Sequence, residues 1–315
     1  MSDGDAVSFF CNDFCFEARC PVRSCFAALA ERFFATQEHR RAVEASRAAD
    51  TALPPGSCAT HHDGTAAAWD AFHRQHASVA FFKQRRYLTA EFPQLLARGE
   101  LTVLELGCGN GSCCVPLLRA NPDARVVACD FAPAAVEAAR QAVLSAGPEL
   151  SSRFVALEAD PSMMSPDDFT RALSDAVSLA GWSPVTRVDA ALAVFVLSAV
   201  PPPLLPRFLA SACACLRPGG VMLVRDYGIY DQAHLRFSAA TACDATGRVF
   251  RRQDGTLARF FERDELVDAV RSGAAGAGVH LDGAAEWHTV AVRNRAKDIT
   301  MRRVFVHAVF TRALV

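Results

Sequence analysis

Three glycines, Gly107, Gly109 and Gly111, follow an apolar run at alternate positions. Glycine lets the backbone bend sharply and approach a ligand with no Cβ in the way. A dinucleotide-binding turn would carry its third glycine at position 112, where this chain has Ser112. The spacing therefore disfavours a nicotinamide cofactor and predicts a different ligand at this turn.

Carboxylates lie near the ends of three successive apolar runs: Glu105 two positions before Gly107, then Asp130, then Asp160. Glu105 resembles the acidic residue in the first motif of class I methyltransferases, where it suits a sulfonium ligand with a cationic amino group. Asp130 would accept hydrogen bonds from two ribose hydroxyls, and Asp160 from an adenine amino group. One such Asp alone is usually a helix cap, but the three in register favour S-adenosylmethionine.

The elements that must position these residues begin at Leu101, where short apolar runs alternate with helical periodicity. Strands are predicted at Thr102–Leu106, Arg125–Cys129, Arg153–Leu157, Val188–Leu197, Val221–Arg225, Trp287–Val292 and Arg303–Phe310. Helices are predicted near Ser112–Ala120, Pro133–Ser145, Asp167–Leu179, Leu204–Leu216 and Asp264–Val270. We predict an α/β fold of the class I, Rossmann-like methyltransferase type, with a mostly parallel seven-stranded sheet, helices on both faces and an N-terminal helical extension.

Three segments are predicted along the 315 residues. Residues 1–60 form a helical arm and linker, with helical periodicity at Phe26–Ala49. Residues 61–100 are predicted to form a helical segment, and residues 101–315 the methyltransferase domain with an insertion near 228–262; the family resemblance described below implies that the segment covers the cofactor and contacts RNA and that the insertion binds RNA. No apolar run supplies the ~20 residues of a membrane span. The acidic start lacks a signal or transit pattern, which predicts a cytoplasmic protein with the nucleus as the alternative.

The 12 cysteines are interpreted as reduced packing residues. Cys108, Cys129, Cys213 and Cys215 fall within apolar strand or helix patterns of a large chain without secretory features. The N-terminal cysteines are spaced too loosely for the tight pairs of structural zinc sites. We predict no metal.

Several segments, in order from residue 69, resemble the family that forms 3-methylcytidine in the anticodon loop of tRNA. They are Trp69–His73, Phe81–Arg85, Leu104–Gly111, Ala128–Pro133, Phe195–Val200, Leu216–Gly220, Arg225–Asp231, Arg252–Thr256 and Phe260–Phe261. The resemblance implies methyl transfer from S-adenosylmethionine to N3 of the cytidine at tRNA position 32. The cofactor contacts that it implies are Trp69, Gly107, Asp130, Asp160 and Val194, together with His73, where the family usually has Tyr.

N3 of cytosine carries an in-plane lone pair and no proton at neutral pH, so positioning is the main task and no general base is needed. Val194 and Phe195 would border the base, which must present its Watson–Crick edge to the methyl group. The product is a cation, so a nearby carboxylate would stabilise the developing charge. Asp226, directly after the fifth predicted strand, is the first candidate, with a salt bridge to Arg225 as its structural alternative.

The net charge is −1, but basic residues cluster on both flanks of the predicted domain and favour phosphate contacts. The predicted RNA-binding residues are Lys83, Arg85, Arg86, Arg236, Arg251, Arg252, Arg302 and Arg303. Each of them alone would usually be a solvated surface charge. The resemblance implies a tRNA anticodon stem-loop as partner, and residues 292–303 are similar to the branch that acts on threonine tRNAs. Some members use a helper protein, such as an aminoacyl-tRNA synthetase; no membrane partner is implied.

Two other functions stay open at this point. The same glycine turn would serve a class I methyltransferase that acts on protein or a small molecule, although the basic flanks and Arg225–Asp231 argue against it. An inactive RNA-binding subunit would also keep the fold. Such a subunit would have no need for Glu105, the three glycines and Asp130.

Overall fold

A computed structural model describes residues 8–11, 14–17, 62–76, 84–183, 186–237, 241–244, 246–294 and 299–314. The strands are β1 (Ser8–Cys11), β2 (Phe14–Glu17), β3 (Leu101–Leu106), β4 (Ala124–Asp130), β5 (Phe154–Glu158), β6 (Val188–Val194), β7 (Leu216–Tyr227), β8 (Val249–Arg251), β9 (Leu257–Arg259), β10 (Leu281–Asn294) and β11 (Ile299–Arg312). The α-helices are α1 (His62–Gln75), α2 (Leu88–Glu91), α3 (Cys114–Ala120), α4 (Pro133–Ala146), α5 (Pro148–Ser151), α6 (Pro166–Leu179), α7 (Leu205–Ala214) and α8 (Arg263–Gly276).

Nine strands form one sheet in the order β1-β2-β10-β11-β7-β6-β3-β4-β5. The strands from β7 to β5 in this order are parallel, whereas β11 and β10 are antiparallel to their neighbours. Strands β8 and β9 pair separately as a hairpin. The chain adds β4 and β5 on one side of β3, and β6 and β7 on the other. Such a reversal leaves a crevice beyond the carboxyl ends of β3 and β6, where α/β proteins bind ligands.

The central strands are apolar because helices cover both faces of the sheet. All six residues of β3 are buried. One face packs against α6, α7 and α8 around Phe169, Leu209 and Val270. The other face packs against α3 and α4 around Leu117 and Val143. This two-sided packing fixes the strand ends from which the site residues project.

The predicted α/β fold is confirmed, and its late strands, β10 and β11, are longer than predicted. Strand β6 ends at Val194, three residues early, because Phe195 has a positive φ of 59° and leaves the extended conformation. Two expectations differ from the structure. Residues 61–100 are not one helical region, since α1 ends at Gln75 and α2 is a single turn. Within residues 1–60 the structure describes β1 and β2, which extend the sheet beside β10; Phe26–Ala49 lies outside the described residues.

The four cysteines placed in predicted strands and helices, Cys108, Cys129, Cys213 and Cys215, are buried and carry free thiols. Cys243 is disulfide-bonded, so the interpretation of all 12 cysteines as reduced is wrong at this position. Burial raises the pKa of the Cys129 thiol well above its ordinary value, so it packs as a small neutral group. In the part of the chain that the structure describes, every helix falls short of the length and apolarity needed to cross a bilayer.

Helix α6 offers a matched pair of substitutions that test the packing. Phe169 is fully buried, whereas the Leu179 side chain is 89% exposed. Phe169→Ala is expected to lower the free energy of unfolding by ~3–5 kcal/mol because it leaves a cavity. Leu179→Ala should change it by less than ~0.5 kcal/mol. Urea unfolding followed by circular dichroism measures both, and equal losses would mean that α6 packs differently.

Candidate active site

A cavity of about 320 Å³ lies at the crevice beyond the carboxyl ends of the parallel strands. The predicted cofactor residues that line it are Trp69, His73, Gly107, Gly109, Asp130, Asp160 and Val194. Phe195, the predicted base contact, lines the same cavity. Residues from the ends of four strands and from α1 are therefore brought together in one place.

The glycine turn bends around this cavity. Gly107, Gly109 and Gly111 have positive φ angles of 62°, 53° and 75°, a conformation that residues with a Cβ rarely adopt. A Cβ at position 107 would lie 2.4 Å from Cγ2 of Val196, which also lines the cavity. Gly111 is outside the cavity wall: a Cβ there would lie 3.1 Å from the Ala139 Cα. This third glycine lets α4 approach the turn.

Asp130 joins this turn to the next one. Its Oδ2 accepts a hydrogen bond from the Gly109 N–H at 3.0 Å, and its Oδ1 accepts one from the Ala132 N–H at 3.0 Å. Burial raises the pKa of Asp130, while these amides and His73 oppose the rise. A carboxylate offers about four lone-pair sites. Both oxygens therefore retain capacity for the hydroxyls of a ribose.

Helix α1 covers the cavity with Trp69 and His73, whose ring centroids lie 5.9 Å apart in a stacked arrangement. The indole Nε1 of Trp69 is buried and donates to none of the described residues, an uncommon state for a buried donor. Burial lowers the pKa of His73, so its imidazole is neutral at pH 7. The Ala134 N–H at the start of α4 donates to Asp70 Oδ1 at 3.4 Å and anchors α1 over the site.

Asp160 and Val194 complete the predicted cofactor set at the wall of the cavity. Oδ1 of Asp160 accepts hydrogen bonds from the backbone N–H of Ser162 at 2.8 Å and from its hydroxyl at 2.6 Å. Ser162 also lines the cavity. These contacts fix the carboxylate of Asp160 at the end of β5.

Glu105 lies behind the turn and does not line the cavity. Alternate side chains of a strand point to opposite faces of the sheet, and Glu105 shares the face of Val103, which packs toward α3. Its Oε2 accepts a hydrogen bond from the Cys114 thiol at 2.8 Å. Burial raises the pKa of Glu105 to about 7. The predicted contact with a cationic amino group is therefore not supported by its position.

Phe195, Tyr227 and Arg85 form an aromatic and cationic part of the cavity wall. The Phe195 and Tyr227 ring centroids lie 4.8 Å apart, and the guanidinium carbon of Arg85 lies 4.7 Å from the Phe195 centroid. The positive φ of Phe195 is costly for a residue with a side chain and is typical of functional sites. A hydrogen bond from its N–H to the Arg225 carbonyl, at 2.8 Å, holds this conformation.

Asp226 is fully buried behind the wall rather than in it. Its Oδ2 accepts from the Ser198 N–H at 3.0 Å, and its Oδ1 accepts from the Tyr227 N–H at 2.8 Å. Burial raises its pKa to about 6. The alternative pairing with Arg225 is also not formed, since Arg225 pairs with Glu91 at 2.7 Å. Asp226 thus positions Ser198 and Tyr227, which do line the cavity.

The hairpin of β8 and β9 contributes a part of the wall; the sequence predicted an RNA contact for Arg252 in this segment but no role for Asp254 or Thr256. Arg252, Asp254 and Thr256 at its turn line the cavity. Oδ1 of Asp254 accepts from the Thr256 N–H at 3.0 Å and from its hydroxyl at 2.7 Å. Gly255 has a φ of 83°, and a Cβ there would lie 3.3 Å from the Ala68 Cβ on α1. The hairpin and α1 therefore meet beside the cavity.

Two predicted RNA-binding arginines are part of the cavity wall instead of an open surface. Nε of Arg85 donates to the Ser112 hydroxyl at 3.1 Å. Nη1 of Arg252 donates to the carbonyl of Leu257 at 2.6 Å. Nη1 of Arg85 also donates to the Tyr87 hydroxyl at 3.4 Å, and Nη1 of Arg252 also donates to the Thr256 hydroxyl at 3.2 Å, so both guanidinium groups are fixed.

The other predicted RNA-binding residues are spread over the flanks of the site. Arg86 and Arg236 are exposed, Arg251 is half-buried, Arg303 is ion-paired with Asp231, Arg302 lies in β11, and Lys83 is outside the described residues. Among the side chains that the structure describes, no group of His, Cys, Asp and Glu is arranged to hold a metal ion.

Residues 104–222 match the family model described as a methyltransferase domain. The fold is similar to that of a SAM-dependent methyltransferase from Anabaena variabilis, with a TM-score of 0.56 and 13% identity over 82% of this chain and 99% of that one. The sheet order, the glycine turn and these similarities define the class I methyltransferase fold.

Sequence similarity to two relatives identifies the family within the class I methyltransferases. The chain is 38% identical over 204 residues to the tRNA N(3)-cytidine methyltransferase METTL6 of Homo sapiens, covering 63% of this chain and 65% of that protein. It is 31% identical over 258 residues to the tRNA N(3)-methylcytidine methyltransferase Mettl2 of Drosophila melanogaster, covering 78% of this chain and 71% of that protein. The chain belongs to the tRNA N(3)-methylcytidine methyltransferase family. It spans about 65% of the length of the METTL6 proteins that it matches.

The buried Glu105 is expected to make the protein less stable as the pH rises. Burial raises its folded pKa to about 7, above the ~4.3 of an unfolded Glu. Its contribution to stability is therefore full below pH ~4.3 and is lost as the pH rises through its folded pKa. Relative to Glu105→Gln, the wild-type free energy of unfolding should fall by ~3 kcal/mol between pH ~4.5 and ~8 in urea titrations. A pH-independent difference would contradict the buried position of this carboxyl group.

Proposed function

We propose that this protein transfers the methyl group of S-adenosylmethionine to N3 of a cytidine in tRNA, at position 32 of the anticodon loop. The observation that carries the proposal is a single cavity with two sets of residues. One set, at the ends of β3, β4 and β5 and on α1, suits a nucleoside cofactor. The other set, from the ends of β6 and β7 and from the hairpin, suits a planar base. Membership of the family supports a tRNA cytidine as the substrate.

The first set of residues fits S-adenosylmethionine. Gly107 and Gly109 open the backbone toward the ligand, Asp130 has acceptor capacity for ribose hydroxyls, and Trp69 offers a buried donor without a described partner. Asp160 at the end of β5 would accept from the adenine amino group. When bound, the cofactor supplies an electrophilic methyl group on a sulfonium.

The second set of residues has to position the cytosine rather than activate it. N3 carries a lone pair in the plane of the ring, so no proton needs to be removed before attack, and orientation supplies the rate enhancement. Phe195 and Tyr227 present an aromatic wall against which a flat base can pack. Bases of a single-stranded loop can leave their stack to reach such a wall.

Methylation at N3 turns the base into a cation, and Asp254 is placed to stabilise that charge. Asp254 is exposed, lines the cavity and does not belong to the strand ends proposed to hold the cofactor. Hydrogen bonds from Thr256 to Oδ1 fix its orientation. We assign to Asp254, in place of Asp226, the role of accepting from the exocyclic amino group and balancing the developing positive charge.

RNA contacts outside the cavity fall to the exposed arginines Arg86 and Arg236 and to the basic end of the chain. Arginine binds phosphate oxygens with its planar fork, and each such contact makes affinity depend on salt. Threonine tRNAs as substrates, and a helper protein such as an aminoacyl-tRNA synthetase, are part of the proposal.

Methyl transfer from labelled S-adenosylmethionine to total tRNA, followed by nucleoside analysis, tests the reaction. The expected product is labelled 3-methylcytidine. Asp130→Ala is expected to weaken cofactor binding by at least ~10-fold, because charge-assisted hydrogen bonds to the ribose are lost. Label that appears only in protein or small molecules would contradict the substrate class, and label in a different nucleoside would contradict attack by N3.

Asp254→Asn tests the assignment of the carboxylate. It is expected to lower kcat on the order of 100-fold while leaving the cofactor Kd unchanged, because the amide cannot balance the charge of the product. Asp282→Asn is the matched control, since the Asp282 side chain is 76% exposed and remote in sequence from the site. An unchanged kcat in the Asp254 variant would remove this residue from the mechanism.

A further inference from the structure

A second cavity lies on the segment that follows β7. It has a volume of about 270 Å³ and is lined by Gln232, Ala233, Arg236, Phe237 and Arg303. Two of the described lining residues are arginines, and none of them is acidic. This composition favours an anionic ligand.

One aromatic ring separates the two cavities. Tyr227 lines the first cavity, and the guanidinium carbon of Arg303 in the second cavity lies 5.7 Å from the Tyr227 ring centroid. The wall of the second cavity is also rigid at Phe237, which stacks on Phe250 with centroids 4.7 Å apart and planes at 18°. The two cavities are therefore neighbours on the surface around Tyr227.

The two arginines are presented in different ways. Arg303 Nε pairs with Asp231 Oδ2 at 2.8 Å, and this fully buried carboxylate also accepts from the N–H groups of Ala233 and Val304, both at 2.8 Å. The guanidinium is thus held through its Nε. Arg236 is exposed, and no carboxylate of the described residues lies within ion-pair distance of it. The charge of Arg303 is therefore balanced by Asp231, whereas Arg236 has no carboxylate partner among the described residues.

We propose that the second cavity binds the phosphodiester that adjoins the target cytidine. This inference rests on the proposed function and adds a subsite to it. When a base enters the first cavity, contacts to the flanking nucleotides are required to hold the strand, and the planar fork of arginine suits phosphate oxygens. The volume of about 270 Å³ is sufficient for a phosphate with its sugar.

The test is a double-mutant cycle that combines one change in the protein with one in the RNA. The protein change is Arg236→Ala. The RNA change replaces one phosphodiester of an anticodon stem-loop, on either side of the target cytidine, by a neutral methylphosphonate. RNA Kd is measured by fluorescence anisotropy. Arg236→Ala is expected to raise Kd about 10-fold and to reduce the slope of log Kd against log salt by about one. One methylphosphonate position should weaken wild-type binding equally and weaken the variant no further. Arg98→Ala changes an exposed arginine before the amino end of β3, opposite the carboxyl ends at which the first cavity lies, and should change neither quantity.

Independent, additive losses at every linkage would overturn the subsite. A Kd that depends on Arg236 but on no linkage, with competition by inorganic phosphate, would assign the cavity to a free anion and would also overturn it. Methyl transfer to the same stem-loop is measured in parallel. If the wild-type protein transfers no methyl group, the proposed reaction is wrong, and the RNA affinities still show whether the phosphate subsite exists. If the wild-type protein is active but the losses in RNA affinity are additive, only the proposed subsite is wrong.

Discussion

The hydrogen bonds of one buried carboxylate hold the site together. Asp130 accepts from Gly109 in the turn after β3 and from Ala132 before α4. Because these turns leave the sheet at the carboxyl ends of adjacent parallel strands, a single side chain fixes the two surfaces between which a nucleoside would lie. The contact of α1 with the start of α4, through Asp70, places the cover of the cavity relative to the same two turns.

In the part of the cavity proposed for the cofactor, the residues at the strand ends could be predicted because their placement follows from local order, whereas Trp69 and His73 on α1 were indicated only by the family resemblance. Strands β3, β4 and β5 are consecutive, short and apolar, so residues at their carboxyl ends meet at one edge without further information. The substrate half depends on longer connections. Asp254 comes from a hairpin inserted after β7, and only tertiary packing of that hairpin beside α1 brings its carboxylate to the cavity.

The positions of Glu105 and Asp226 were wrongly predicted for the same reason. In a strand, neighbouring side chains point to opposite faces, so the identity of a residue near a strand end does not say which face it occupies. Glu105 and Asp226 both point away from the cavity and hold backbone or thiol donors. The position of Arg85 was also wrongly predicted. A basic residue among polar residues is usually interpreted as a surface charge, but the contacts of Arg85 with Ser112 and Phe195 place it in the wall of the cavity.

We propose that one cavity holds cofactor and base together, with Asp254 at the amino group of the base. A crystal structure with S-adenosylhomocysteine and an anticodon stem-loop measures this directly. The predicted result is a ribose on Asp130 and a cytosine ring beside Phe195 and Tyr227, with its amino group within hydrogen-bond distance of Asp254. A base bound outside the cavity, or a cytosine whose N3 faces away from the cofactor sulfur, would contradict the claim.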